Sequence, residues 1–187
     1  MSASEEPSAE PPFQKRGERE VWKGRFISAA EGTFVSPTGA EFQREIVHHP
    51  GAVSVVPVDG DEVVLVRQYR AAVDQEVLEI PAGKRDVDGE APEETAAREL
   101  AEEVGLRAGK LEKLAEFYNS LGFSDELSHV YLGTDLTEVP KDLQGVEEQH
   151  MTVERIRLDD VSALIAAREL VDAKTVIGLL LARERLA

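Results

Sequence analysis

The chain has no cysteine in its 187 residues. That excludes disulfides, iron–sulfur clusters, thiolate zinc sites and a cysteine nucleophile. A small secreted domain generally needs such staples, so the composition predicts a reducing, cytoplasmic setting. Long apolar runs are also missing. The most apolar stretch, Thr175-Val176-Ile177-Gly178-Leu179-Leu180-Leu181-Ala182, is bounded by Lys174 and Arg183. It falls far short of the roughly 20 residues that span a bilayer. The N-terminus opens on Ser, Glu and Pro without an apolar h-region, so no signal peptide and no membrane partner are expected. Positive charge is in deficit, with 21 Lys and Arg against 37 Asp and Glu, a formal net charge of −16. Such a balance repels nucleic acid and anionic membranes and favours solubility. It still permits a small anionic ligand held by a few local cations.

Several common catalytic arrangements are absent as well. His48 and His49 are adjacent on a predicted strand and point to opposite faces, and His129 and His150 are isolated. No HExxH pattern or histidine cluster occurs. Gly122-Phe123-Ser124 lacks the second glycine of a serine-hydrolase elbow, because Glu126 stands there. Nothing fixes two carboxylates at a glycosidase separation.

What is present reads as an α/β chain. Residues 1 to about 19 are rich in Glu, Pro, Ser and Ala, and are expected to form a disordered tail. Val21–Ile27, Thr33–Val35 and Glu41–Val47 read as strands, with a turn at Ser36-Pro37-Thr38-Gly39, so residues 20–50 form a small antiparallel β unit. Ala52–Val58 and Glu62–Tyr69 flank the hairpin signal Asp59-Gly60-Asp61, and Val77–Ile80 ends at Pro81. After Gly89 the period changes. Pro92 suits a first helical turn, Ala96, Ala97, Leu100 and Val104 recur at helical spacing, and Gly105 suits the stop, giving a helix over 92–104. Lys110–Tyr118, Ser128–Thr134 and Met151–Leu158 read as strands, and helices near 159–168 and 172–186 close the chain. Hairpins and helical crossovers interleave, so residues 51–187 are expected to form one domain on a mixed sheet.

The predicted helix carries the chemistry. Glu99 stands three residues before Glu102 and four before Glu103, so their carboxylates share adjoining parts of one face. They repel one another, and Glu102 and Glu103 also sit where the helix dipole disfavours anions. A divalent cation reverses both effects, since clustered carboxylate oxygens are what Mg²⁺ or Mn²⁺ prefers. A solvated acidic face bridged by Arg98 is the competing reading of these charges alone.

The full pattern decides between them. Glu90, seven residues, Arg98-Glu99, an aliphatic residue, one variable residue, Glu102-Glu103, one residue, Gly105 and an aliphatic residue resembles the Nudix box of the Nudix hydrolase superfamily. Glu79-Ile80-Pro81-Ala82-Gly83, Arg67-Gln68-Tyr69-Arg70 and Gly122-Phe123-Ser124-Asp125-Glu126 look like its ADP-ribose pyrophosphatase branch. The resemblance covers about residues 20–185. It implies an α/β/α sandwich, with Glu99, Glu102, Glu103 and the Ala82 carbonyl as metal ligands for Mg²⁺ (Mn²⁺ as alternative). It makes Arg98, with Glu90, the residue that orients the glutamates. It places the catalytic base on the loop from Asp142 to Met151, at Glu147 or Glu148. Arg70 and Arg44 become phosphate or nucleotide contacts, Phe26 the face for the base, and Glu79 and Gly122 further substrate positions. The implied substrate is a nucleoside diphosphate linked to a second group. The implied assembly is a homodimer reached through the N-terminal unit. Two departures stand out: six residues rather than five separate Gly83 from Glu90, and Leu121 stands where the ADP-ribose branch has proline. The second leaves another nucleotide sugar open as substrate. A non-catalytic nucleotide sensor is the competing function, although all the box glutamates are present.

Overall fold

The computed structural model describes residues 12–143, 145–146 and 148–187. The chain divides into two compact units. Among the described residues no helix is long and apolar enough to cross a membrane.

The first unit comprises residues up to His49 together with Ser120–Asp125. Its sheet has the order β1 (Gln14–Lys23), β2 (Ser28–Val35), β3 (Glu41–His48), all antiparallel. The first strand starts at Gln14, inside the stretch expected to be a tail. The reason is visible in β1 itself, which is charged and exposed along most of its length and so lacks the apolar alternation that marks a strand. Two register shifts, at Lys15/Gly17 and Glu20/Trp22, break its period further. The gap expected between Ile27 and Thr33 is also closed, since β2 runs unbroken through Gly32. Phe34 stacks on Phe42, and Phe13 meets Phe42 edge-on. The turn after β2 is closed by the Gly39 N–H donating to the Ser36 carbonyl at 2.9 Å.

The segment 120–125 joins this unit through β3. The Val47 N–H donates to the Phe123 carbonyl at 2.7 Å, and the Asp125 N–H donates to the Val47 carbonyl at 3.2 Å. His48 completes the attachment. Its Nδ1 lies 2.5 Å from Asp125 Oδ2 and its Nε2 2.6 Å from Glu18 Oε1. Hydrogen bonding to Asp125, and then to Glu18, raises the His48 pKa above its ordinary 6.5. A raised histidine gives its full stabilisation below 6.5 and loses it as pH rises through the higher folded value. Amide exchange at Asp125 should therefore accelerate, beyond the intrinsic base-catalysed rise, as pH climbs above 6.5. The His48→Ala variant should show fast exchange at every pH. Unchanged protection in that variant would remove His48 from the attachment.

The second unit holds the remaining elements: β4 (Ala52–Asp59), β5 (Glu62–Arg70), β6 (Gln75–Glu79), β7 (Ala82–Lys84), α1 (Pro92–Val104), β8 (Leu106–Tyr118), β9 (Leu127–Glu138), β10 (Thr152–Arg157), α2 (Val161–Ala166) and α3 (Ala173–Leu186). The sheet order is β10-β5-β4-β9-β8, with β6 paired to β5 and β7 to β4. Only the β4–β9 pair is parallel among the ladders described, so the sheet is mixed. β4 and β5 are buried on both faces, which is why they read as near-continuous Val runs. Alternate residues enter two cores. Val56, Val58, Val63 and Leu65 pack with Leu170, Leu179 and Ala182 on the α2–α3 side. Val53, Val55, Val64 and Val66 pack with Ala96, Leu100 and Val104 of α1 on the other. The result is the expected α/β/α sandwich.

Two boundaries shift. β8 starts at Leu106, directly after the helix stop, and β9 extends to Glu138. β7 is a three-residue strand with no pattern of its own, created by its pairing with β4.

Candidate active site

Helix α1 is built as its sequence dictates. Pro92 occupies the first turn, where a missing N–H costs nothing. The Glu94 carboxylate accepts from the Ala91 N–H at 3.1 Å. Gly105 ends the helix at φ 70°, a left-handed conformation that disfavours any side chain. The apolar stripe of Ala96, Leu100 and Val104 faces the sheet. Glu103 shares that buried side and is only 4% exposed.

Burial with one protein donor is an unfavourable place for a carboxylate. Glu103 Oε2 accepts from the Ala82 N–H at 3.0 Å. Even so, burial pushes the Glu103 carboxyl up to about 8, with Glu99 and Glu148 adding to the rise. Glu99 is also raised, by burial first and by Glu102 and Asp86 in addition, although Arg98 opposes this. The metal-free site therefore favours the protonated form of these two carboxyls.

Arg98 gathers the rest. Its Nη1 donates to Glu99 Oε1 at 2.9 Å and to Glu102 Oε2 at 3.0 Å. Its Nε and Nη2 donate to the two oxygens of Glu90, each at 3.1 Å. The Glu90 hydrogen bonds raise the Arg98 pKa and keep it charged. Gly83 makes room for this arrangement. A Cβ there would lie 1.9 Å from Glu99 Cδ. The six-residue spacing from Gly83 to Glu90 is thus compatible with both residues meeting the helix.

Among the described residues, no three His, Cys, Asp or Glu side chains already converge as a metal cage. Glu99 and Glu102 turn to Arg98, whereas Glu103 turns to Ala82. The donor chemistry nonetheless fits a hard divalent cation. All the groups are oxygens, they are adjacent, and two of them are held above the ordinary carboxylate value by burial first and by neighbouring carboxylates in addition. Glu99, Glu102 and Glu103, with the Ala82 carbonyl nearby in sequence, could hold one.

Arg70 and Glu79 meet on this unit too. Arg70 Nε donates to Glu79 Oε1 at 2.7 Å and its Nη2 to Oε2 at 2.6 Å, a bidentate fork. Arg70 is partly exposed, and its charge acts on Glu103. Glu79 is 2% exposed with both oxygens engaged. It was expected to touch substrate. In this arrangement both of its oxygens accept from Arg70. Glu148 opens a short 3₁₀ turn, Glu148–His150, and its Oε2 accepts from the Gly145 N–H at 3.0 Å. Glu147, the first choice for the base, lies outside the described residues.

Phe26, Arg44 and Gly122 belong to the first unit. Phe26 is partly exposed, with the Arg25 guanidinium 4.9 Å from its ring centre. Arg44 lies over Phe42 at 4.7 Å and donates to the Gln43 carbonyl at 2.7 Å. A Cβ at Gly122 would meet nothing within 4 Å, so packing does not require glycine there. Asp172, Lys174 and Thr175, at the start of α3, carry no local motif that marks them: Lys174 and Thr175 read only as the edge of an apolar run.

The NUDIX domain family model matches residues 48–176. The ADP-ribose pyrophosphatase of Bacillus subtilis (strain 168) is 40% identical over 157 residues, 83% of this chain and 84% of that protein. The ADP-ribose pyrophosphatase of Mycobacterium tuberculosis (strain H37Rv) is 35% identical over 173 residues, 92% of this chain and 84% of its own length. The crystal structure of an ADP compounds hydrolase superposes with a TM-score of 0.81 at 25% identity, covering 94% of this chain and 95% of that one. A helix bearing Arg98, Glu99, Glu102 and Glu103 on an α/β/α sandwich, together with these matches, shows that the chain belongs to the Nudix hydrolase family.

Proposed function

We propose that this Nudix enzyme is a Mg²⁺-dependent pyrophosphatase that cleaves the diphosphate of ADP-ribose to AMP and ribose 5-phosphate. The observation that carries the reading is the buried Glu103 against Ala82, on the helix that bears Arg98, Glu99 and Glu102, in a chain 35–40% identical to two ADP-ribose pyrophosphatases. Glu99, Glu102, Glu103 and the Ala82 carbonyl would hold the cation. When bound, Mg²⁺ (or Mn²⁺) supplies charge neutralisation for the diphosphate and a lowered pKa for water. Arg98, anchored by Glu90, keeps Glu99 and Glu102 on one side of the helix. Arg70, fixed in the plane set by Glu79, offers its remaining donors to a phosphate oxygen. Glu147 or Glu148 takes the proton of the attacking water. Phe26, Arg44 and Gly122 contact the nucleoside end, and the first unit brings two copies into a homodimer. The enzyme works in the cytoplasm.

A second reading keeps the chemistry and changes the leaving group. The branch-marking proline is replaced by Leu121, which is 75% exposed. A panel of ADP-ribose, GDP-mannose, NADH and diadenosine polyphosphates, each with Mg²⁺ and with EDTA, separates the two. AMP plus ribose 5-phosphate from ADP-ribose supports the first reading. Preference for another member moves the substrate and points to Leu121. Nucleotide binding without cleavage of any member would make the protein a sensor and end the hydrolase reading.

The base is assigned by two variants. Glu147→Gln should lower kcat by about 10² or more, the usual scale for a general base, with little change in melting temperature. A loss confined to Glu148→Gln would move the role by one residue. Full activity in both would place the base elsewhere.

A further inference from the structure

Glu79 has two cations, not one. Lys174 Nζ lies 2.5 Å from Glu79 Oε2 and 3.0 Å from Asp172 Oδ2. Its side chain is 12% exposed, so the contact is an interior one. Asp172 is fixed in turn, accepting from the Thr175 N–H at 2.9 Å and from Thr175 Oγ1 at 2.6 Å. Thr175 is fully buried, and its Oγ1 accepts from the Ile80 N–H at 3.0 Å. The start of α3 thus grips two successive residues, Glu79 and Ile80, just ahead of Ala82.

The charges close among themselves. Burial pushes the Glu79 carboxyl up, and Arg70 and Lys174 together outweigh that. Burial likewise pushes Asp172 up, and Lys174 and Thr175 outweigh it. A buried carboxylate with Arg70 as its one partner would have a free lone pair on Oε2 and would draw the guanidinium inward to fill it. Lys174 fills that position instead. The Arg70 fork then stays on the two carboxylate oxygens, with its side chain 41% exposed and its charge felt at Glu103.

We infer that Lys174 is a positioning residue for phosphate recognition: it locks Glu79 so that Glu79 holds Arg70 at the reacting diphosphate. This rests on the reading of Arg70 as a phosphate contact. Lys174 itself touches no substrate.

The test uses ADP binding by calorimetry in the presence of Mg²⁺, alongside steady-state kinetics and thermal melts, on the full chain. Lys174→Met should weaken ADP binding about tenfold or more, the scale for losing a hydrogen bond between charged groups. It should raise KM by a similar factor and leave kcat within about threefold, because the Arg70 contact is made in ground and transition states alike. Lys174→Arg should restore most of the affinity. Arg70→Met should lose as much as Lys174→Met, and the double variant no more than either, since the two act in series. Should Lys174→Met fail to melt cooperatively, Lys174→Gln takes its place with the same expectation. Wild-type ADP affinity in the Lys174 variant, or losses that add in the double variant, would overturn the inference. Binding is read without turnover. A wild-type protein that binds ADP but cleaves nothing would end the hydrolase reading and leave this test in force, whereas one that does not bind ADP would overturn both.

Discussion

Glu103→Gln should abolish metal-dependent turnover and, at the same time, stabilise the metal-free protein at pH 8. The sign follows from the direction of the shift. Folding raises the Glu103 carboxyl from 4.5 to about 8. Between those values the folded state binds more protons than the unfolded one, so stability falls as pH rises through that window. At 1.36 kcal/mol per unit, the full cost above pH 8 is on the order of 3–5 kcal/mol. Glutamine keeps an oxygen for the Ala82 N–H and carries no charge at any pH. The variant should therefore lose the decline in melting temperature between pH 5 and 8. It should melt at least about 5 °C higher at pH 8, taking roughly 2–4 °C per kcal/mol for a chain of this size. Wild type should regain the difference when Mg²⁺ is added, and the variant should not. Equal melting curves without metal, or a Mg²⁺ shift that survives in the variant, would show that Glu103 neither suffers from burial nor holds a cation.

The second large effect comes from Gly83→Ala, and it separates site from fold. The added methyl would fall 1.9 Å from Glu99 Cδ, 2.3 Å from its Cγ and 2.3 Å from its Oε1. These are atoms of a mobile side chain, so the backbone need not yield. Glu99 must swing away, and Arg98 Nη1 loses one of its two partners on the helix. Melting temperature should change by only a few °C, since Arg98 keeps its pairs with Glu90 and Glu102 when Glu99 leaves. Turnover should fall by about 10² or more, the cost of misplacing a group at the reacting centre. Circular dichroism melts and initial rates on one preparation check both halves. A variant with near-normal kcat would mean that the position of Glu99 does not matter to catalysis.

The helix was legible because every signal agreed. Pro92 at the start, apolar residues at helical spacing and Gly105 at the stop gave Pro92–Val104 without help from tertiary contacts. β4 and β5 were legible for a similar reason, as Val-rich runs between turn residues. β1 was not. Its side chains are charged and exposed, so backbone pairing with β2, which leaves no mark on residue type, is what makes it a strand. The site divides along the same line. Glu99, Glu102 and Glu103 share one helix, and local spacing places them. The burial of Glu103 could have been read from its place beside Leu100 and Val104. Arg70, Glu79, Asp172 and Lys174 are brought together over about a hundred residues of sequence, for example 95 positions between Glu79 and Lys174. No local pattern reports such a meeting. The role of Gly83 was hidden likewise, since a close approach to Glu99 depends on the pairing of β7 with β4.

The most direct measurement follows ADP-ribose in ¹⁸O-water by mass spectrometry and ³¹P NMR, with Mg²⁺ and with EDTA. A cation-loaded carboxylate site that drives water onto phosphorus should give AMP and ribose 5-phosphate only with Mg²⁺. Each turnover should leave a single ¹⁸O on the phosphate of one product. Cleavage that persists in EDTA, or products free of label on phosphorus, would contradict the assignment of Glu99, Glu102 and Glu103 to a metal-dependent diphosphate hydrolase.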